Sequence, residues 1–211
     1  MKAGRFITVE GIEGVGKSTN LRFIKEFLEH HGVDVVMTRE PGGTTLGEEL
    51  RELLLAHRHD AMTADSELLL MFAARAEHLA TLINPALVQG SYVVCDRFTD
   101  ATYAYQGAGR GIPVERIAAL EQWVQGELRP HLTLLLDMPV ALGRKRAACR
   151  DAADRFEREK EAFFERVRRC YLDMAKQEPQ RFRIIDASRP LPEVQEQVAA
   201  VLEAWLGEAD G

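Results

Sequence analysis

Short apolar runs separated by longer amphipathic stretches recur along this chain, the alternation that builds a parallel sheet with helical crossovers. Phe6, Ile7 and Val9 predict a first strand. Leu21, Phe23, Ile24, Phe27 and Leu28 then fall at helical spacing up to His30 and His31, with Gly32 placed to cap the C-terminus. The two histidines are adjacent, so their side chains diverge around the helix and suit solvated or capping roles better than metal ligation. Val33, Val35, Val36 and Met37 predict a second strand, and Thr38 to Thr44, TREPGGT, a turn. A strand, helix and strand this close together imply parallel pairing.

The same alternation continues. Leu46, Leu50, Leu53 and Leu54 predict a helix over Thr45 to Ala56, and a longer one spans Asp65 to Val88, with Pro85 as a kink or break and Gly90 as its stop. Tyr92 to Cys95 form a third strand delivering Asp96, Arg97 and Phe98 to its C-terminal end, the edge where ligands sit in open parallel sheets. A short helix over Thr99 to Gln106 runs into GAGRG, and Pro113 opens a helix over Val114 to Leu128. Leu132 to Leu136 form the fourth strand and Ala141 to Ala148 a helix. Phe163, Phe164, Val167 and Tyr171 mark an amphipathic helix, Phe182, Ile184 and Ile185 a fifth strand, and Val194 to Leu206 a closing helix.

At 211 residues and 46% hydrophobic content the chain can bury one sizeable core, so a single domain over 1–211 is expected. A net charge of −6 argues against non-specific nucleic-acid binding and leaves anions to local basic clusters. Cys95, Cys149 and Cys170 are odd in number and far apart, as in a reduced, cytoplasmic protein. Neither a signal region nor a run long enough to cross a membrane is evident, so a soluble protein is expected.

Between the first strand and the first helix, Gly11, Gly14, Gly16, Lys17 and Ser18 fit the spacing G-x-x-x-x-G-K-[ST]. Glycines there let backbone N–H groups curl around phosphate oxygens, and the next helix points its partly positive N-terminus at them. Lys17 then reaches the β- and γ-phosphates and the Ser18 hydroxyl a Mg²⁺ ion, while Glu13, Val15 and Thr19 complete the nucleotide-binding stretch. Asp96 is placed either as a second Mg²⁺ ligand or as a helix N-cap. Arg97, with Arg39 in the turn after the second strand, suggests a second anion site. Two phosphate sites on one sheet edge describe a kinase whose acceptor is itself phosphorylated. Such an acceptor has a second pKa near about 6, is largely dianionic at neutral pH, and needs no catalytic base. Arg144 to Arg158 is either a solvated helix face or a basic lid over this site.

Five stretches together resemble the bacterial thymidylate kinases: EGIEGVGKST (Glu10 to Thr19), TREPGGT, FAAR (Phe72 to Arg75), DRFTDATYAYQGAGRG (Asp96 to Gly111) and DRFE (Asp154 to Glu157). The resemblance implies a P-loop NTPase fold of the α/β class, with a five-stranded parallel sheet flanked by helices and a short mobile lid near 144–158. It also implies a homodimer that transfers the ATP γ-phosphate to dTMP with Mg²⁺. It further places Glu13 at the deoxyribose 3′-hydroxyl, and Arg97 and Arg39 at the dTMP phosphate. Phe72 lies against the thymine ring, Arg75, Thr102 and Gln106 at its polar edge, and Tyr105 at the 2′ side of the sugar. Pro41 matches a family proline preceded by a cis peptide. Gly14 together with Arg150 and Arg155 resembles the family type that keeps its catalytic arginines in the lid, and Glu157 serves either Mg²⁺ or those arginines. The chain departs from the family in Met71, which stands four residues before Arg75 where a stacking aromatic is frequent, and in Ala101, which replaces a frequent Ser. Judged without the resemblance, Phe72 reads as core packing, since one aromatic on a helix is usually buried for its area; the family context reverses that reading. Two other readings stay open: a kinase for a different small acceptor, and a nucleotide-dependent switch, although no guanine-reading N-K-x-D segment occurs.

Overall fold

Five strands pair in parallel in the order β2-β3-β1-β4-β5: β1 Phe6–Glu10, β2 Val35–Arg39, β3 Tyr92–Asp96, β4 Leu132–Asp137 and β5 Phe182–Asp186. The computed structural model describes residues 4–56, 62–148, 156 and 159–209. Strand β1 is buried along its whole length, as expected of a central parallel strand covered on both faces. Ile7 pairs with Val94 on one side and Leu132 on the other, so the connections diverge at β1 and leave a crevice beyond its C-terminal end.

Side-chain alternation distributes the core over both faces. Ile7, Val9 and Val94 join a large cluster with Ile24 and Leu28, whereas Phe6, Val93 and Cys95 meet Leu79, Ile83 and Ala86 opposite. Ile24 and Leu28 come from α1, Lys17–His30. Its end is closed by Gly32 in the left-handed conformation (φ 74°), with Gly32 N–H donating to Glu29 and Val33 N–H to Leu28.

Two helices differ from the sequence expectation in the same way. The long helix is α3, Ala64–His78, a π-helical turn over Leu79–Ile83, then α4, Asn84–Gln89. Pro85 explains the widening: it has no N–H to bond back four residues, and the turn ahead of it absorbs the mismatch. The segment after β3 is α5, Thr99–Thr102, and continues as a π-helical turn over Tyr103–Gly109. The remaining helices are α2 Thr45–Leu55, α6 Val114–Val124, α7 Val140–Ala147, α8 Glu161–Gln177 and α9 Leu191–Ala209. Helix α6 stops short of Leu128, with Gln125 capping its end.

Candidate active site

The loop between β1 and α1 is held at its tight points in backbone conformations that favour glycine. Gly11, Gly14 and Gly16 have φ of 135°, 78° and 89°. A Cβ on Gly11 would lie 2.4 Å from the Leu136 carbonyl oxygen, and one on Gly14 2.0 Å from that of Gly143 in α7. The loop thus lies directly against β4 and α7. Lys17 Nζ donates to the carbonyls of Gly11 and Ile12 at 3.3 and 3.4 Å. Burial, and then the neighbouring Arg97 charge, lower its pKa, which makes an added anion welcome there. Glu13, Gly14, Gly16, Lys17, Ser18 and Thr19 line a cavity of about 430 Å³ together with Arg51, Asp96, Arg97 and Arg146. Val15 packs inward and is buried. Asp96 Oδ1 is buried with no hydrogen-bond partner among the described residues, and the N-cap of α5 is Phe98, so the capping alternative for Asp96 is not realised.

A second, narrower cavity of about 90 Å³ adjoins the first and shares Glu13, Arg51 and Arg97 with it. Pro41, Met71, Arg75, Thr102, Tyr105, Gln106 and Phe156 are among the residues around it. Arg97 stands between the cavities at φ 67°, the positive-φ residue other than glycine among those described. Its Nη2 donates to Glu13 Oε1 at 2.9 Å, and its guanidinium carbon lies 4.7 Å from the centre of the Tyr105 ring. The Tyr105 hydroxyl bonds both Glu13 oxygens at 2.8 Å. Beneath them Glu10 accepts from Phe98 N–H and from the Tyr171 hydroxyl, both at 2.7 Å. Burial, reinforced by Asp100, pushes the Glu10 carboxyl up to about 8.

A buried polar chain supports the far wall. Thr38 and His78 meet at 2.6 Å and His78 and Glu40 at 3.0 Å; Arg75 donates to Glu40 at 2.8 Å and to Thr102 at 2.9 Å. Arg75 Nη1 is left buried without a partner among the described residues. Glu40 precedes a cis peptide to Pro41, as the resemblance implied.

The structure brings Glu13, Arg75, Arg97, Thr102, Tyr105 and Gln106 around one cavity and the phosphate-loop residues around the other. It places two expected residues elsewhere. Phe72 is 2% exposed among Leu68, Ile112 and Ile117, with the Arg75 guanidinium over its ring. Met71, one helical turn before Arg75 and therefore on the same face, lines the cavity instead. Arg39 is about half exposed and pairs with Glu48 at 2.8 Å, outside both linings. The arginine from this region that lines both cavities is Arg51 in α2, whose Nη1 donates to the Pro41 carbonyl at 2.9 Å. No periodic signal singles out Arg51 in RELLL; its reach from α2 over the turn at Pro41 appears only once the helix is folded back. Arg150 and Arg155 lie outside the described residues, as does most of the basic stretch; Arg146 of that stretch lines the phosphate cavity.

The thymidylate kinase family model matches residues 9–198. A thymidylate kinase of Pseudomonas entomophila is 60% identical over 99% of this chain and 100% of its own length, and one from Ectopseudomonas mendocina is 59% identical over 96% and 97%. The crystal structure of the Ehrlichia chaffeensis thymidylate kinase superposes with a TM-score of 0.77 at 37% identity, covering 95% of this chain and 99% of that one. With the family model matching most of the chain and relatives similar over nearly its full length, the chain belongs to the thymidylate kinase family.

Proposed function

We propose that the protein transfers the γ-phosphoryl group of ATP to dTMP, giving dTDP, as a cytoplasmic homodimer. The observation that carries this reading is the pair of adjoining cavities sharing Glu13, Arg51 and Arg97, one built on the phosphate loop and the other walled by convergent donors and acceptors. ATP phosphates are held by the loop N–H groups and Lys17, with Gly11, Gly14 and Gly16 allowing the close approach. Ser18 and Asp96 fit a divalent cation, because the buried Asp96 oxygen otherwise lacks any partner among the described residues. When bound, Mg²⁺ supplies charge neutralisation on the donor phosphates.

The acceptor phosphate already carries its nucleophilic oxygen as an anion, so the chain has to align it and offset charge. Arg97 and Arg51 stand at the junction for that purpose, with Arg39 the candidate from the resemblance. Glu13 meets the 3′-hydroxyl, while Tyr105, held on Glu13, fills the 2′ side and disfavours a ribonucleotide. Arg75, Thr102 and Gln106 read the base edge, and Met71 takes the apolar contact that the resemblance gave to Phe72. Arg150 and Arg155 add charge neutralisation at the transferred group. Large apolar side chains exposed on the mutually packed α2 and α3, Leu53 and Leu69, support self-association.

ADP release coupled to a reporter, measured with ATP, Mg²⁺ and a panel of monophosphates and nucleosides, tests the reading. Turnover highest with dTMP, and lost by orders of magnitude in folded Lys17→Ala, is the expected result. Near wild-type turnover in that variant, or preference for a nucleoside, overturns it. Sedimentation equilibrium tests the homodimer, and a monomer at micromolar concentration contradicts it.

A further inference from the structure

Gln106 is held from behind by a residue that does not line the cavity. Its Nε2 donates to Glu67 Oε1 at 2.8 Å, and both side chains are almost wholly buried. The same Glu67 oxygen accepts from Arg110 Nε at 3.3 Å, and Arg110 also binds Glu159. A primary amide has a donating and an accepting end of nearly equal size, and its orientation is settled by its partners. Beside the Arg110 guanidinium the Glu67 carboxylate is an acceptor, so it takes the NH₂ end of Gln106. The Gln106 carbonyl oxygen is then the end left for the cavity, where it accepts no hydrogen bond from the described residues. In the same lining Arg75 Nη1 is a buried donor without a partner among those residues.

One acceptor and one donor in the same lining are a pattern that distinguishes pyrimidines. Thymine presents an N3–H donor next to the O4 acceptor. Cytosine presents an unprotonated N3 acceptor next to an N4 amino donor, so both groups are mismatched. We propose that Glu67 is a specificity-determining positioning residue: by fixing the Gln106 amide it makes the site accept a thymine-type edge and reject a cytosine-type one. The proposal rests on the assignment of base reading to Gln106 and Arg75. Its consequence is that selectivity can be altered from a position that never touches substrate.

The test is kcat/KM for dTMP and for dCMP, with saturating ATP, in wild type, Glu67→Gln, Glu67→Met and Gln106→Leu. Glu67→Gln keeps a carbonyl oxygen that Arg110 holds in place, so it retains the dTMP preference. Glu67→Met removes the acceptor and leaves Arg110, whose Nη2 is also buried without a partner among the described residues, to attract the Gln106 oxygen. The amide turns, and the dTMP to dCMP ratio falls roughly tenfold to a hundredfold, chiefly through a raised KM for dTMP. A role confined to stability would lower the unfolding midpoint and leave the ratio unchanged. If Glu67→Met keeps the wild-type ratio while Gln106→Leu lowers it, the role of Glu67 is overturned and the base-reading assignment survives. If Gln106→Leu also keeps the ratio, the assignment itself fails. Should Glu67→Met not fold because Arg110 loses a carboxylate, Glu67→Met with Arg110→Met removes both charges and frees the amide. A wild-type ratio in that double variant equally overturns the proposal.

Discussion

Substituting Gly14 by alanine separates the two reasons a phosphate loop needs glycine. Gly14 and Gly32 share nearly the same left-handed backbone, φ 78° and 74°, but a Cβ on Gly32 meets nothing within 4 Å, whereas one on Gly14 lies 2.0 Å from the Gly143 carbonyl oxygen. The left-handed conformation costs a residue with a Cβ about 1–2 kcal/mol, so Gly32→Ala loses about that much stability in urea unfolding and Gly14→Ala at least that much. Only Gly14→Ala must also move backbone against backbone. Reaching ordinary contact near 3.4 Å from the 2.0 Å approach requires a shift of about 1.4 Å, and the loop and α7 are close at a second point too, since a Cβ on Gly143 would lie 2.8 Å from the Glu13 carbonyl oxygen. A displacement of about 1 Å in a positioning group can lower turnover by about a hundredfold. Steady-state ADP release should therefore fall about a hundredfold or more in Gly14→Ala and stay near wild type in Gly32→Ala. Turnover within a few-fold of wild type in folded Gly14→Ala would show that contact with α7 does not set the loop, and the argument from close approach would be refuted.

Three further outcomes follow from side-chain placement. Arg51→Ala should raise KM for dTMP by roughly tenfold to a hundredfold, the loss of a charge-assisted contact, whereas Arg39→Ala, which breaks an exposed pair with Glu48, should change it by less than about fivefold; the reverse order would return the phosphate contact to Arg39. Phe72→Ala should lower unfolding free energy by about 3–5 kcal/mol, while Met71→Ala acts mainly on KM for dTMP; urea titration beside initial-rate kinetics decides between them. The Glu10 carboxyl, raised from 4.5 to about 8 mainly by burial, keeps a proton in the folded chain that the unfolded chain releases, so its contribution to stability is full below about pH 4.5 and is lost as pH rises through about 8. Glu10→Gln should flatten that decline in denaturation midpoints between pH 5 and 8; an unchanged slope would place the titration elsewhere.

The strands and the phosphate loop were legible because each rests on a local constraint. A strand buried on both faces reads as a mostly apolar run, and a loop curled around phosphates puts glycine at characteristic spacing. The residues that escaped are those whose role depends on which way a helix faces. Met71 and Phe72 are neighbours, and the aromatic is the more conspicuous in sequence, but the 100° turn between them sends Met71 to the cavity and Phe72 to the apolar cluster. Arg39 and Arg51 are equally charged, and only the fold of α2 over the turn at Pro41 brings Arg51 to the junction. The π-helical turn before α4 was illegible for a related reason: Pro85 announces a disturbance without saying that it will be absorbed as an extra residue in the turn before it.

Arg97 shows why one carboxylate near the junction is buried at such cost. A backbone at φ 67° costs a non-glycine residue about 1–3 kcal/mol, and such a conformation persists only where its surroundings over-determine it. Those surroundings are specific. Arg97 N–H donates to the Val9 carbonyl at 3.1 Å, the next N–H, that of Phe98, donates to Glu10, and the Arg97 guanidinium donates to Tyr171, whose hydroxyl itself rests on Glu10. Glu10 therefore fixes the backbone after Arg97 with one oxygen and the support of its side chain with the other. The burial that raises its pKa follows from that position at the end of the central strand. The same strand end carries the phosphate loop, so that loop and Arg97 between the two cavities hang from one residue. Covalent geometry and two hydrogen bonds thereby set their spacing, together with the close contact of the loop against β4 and α7.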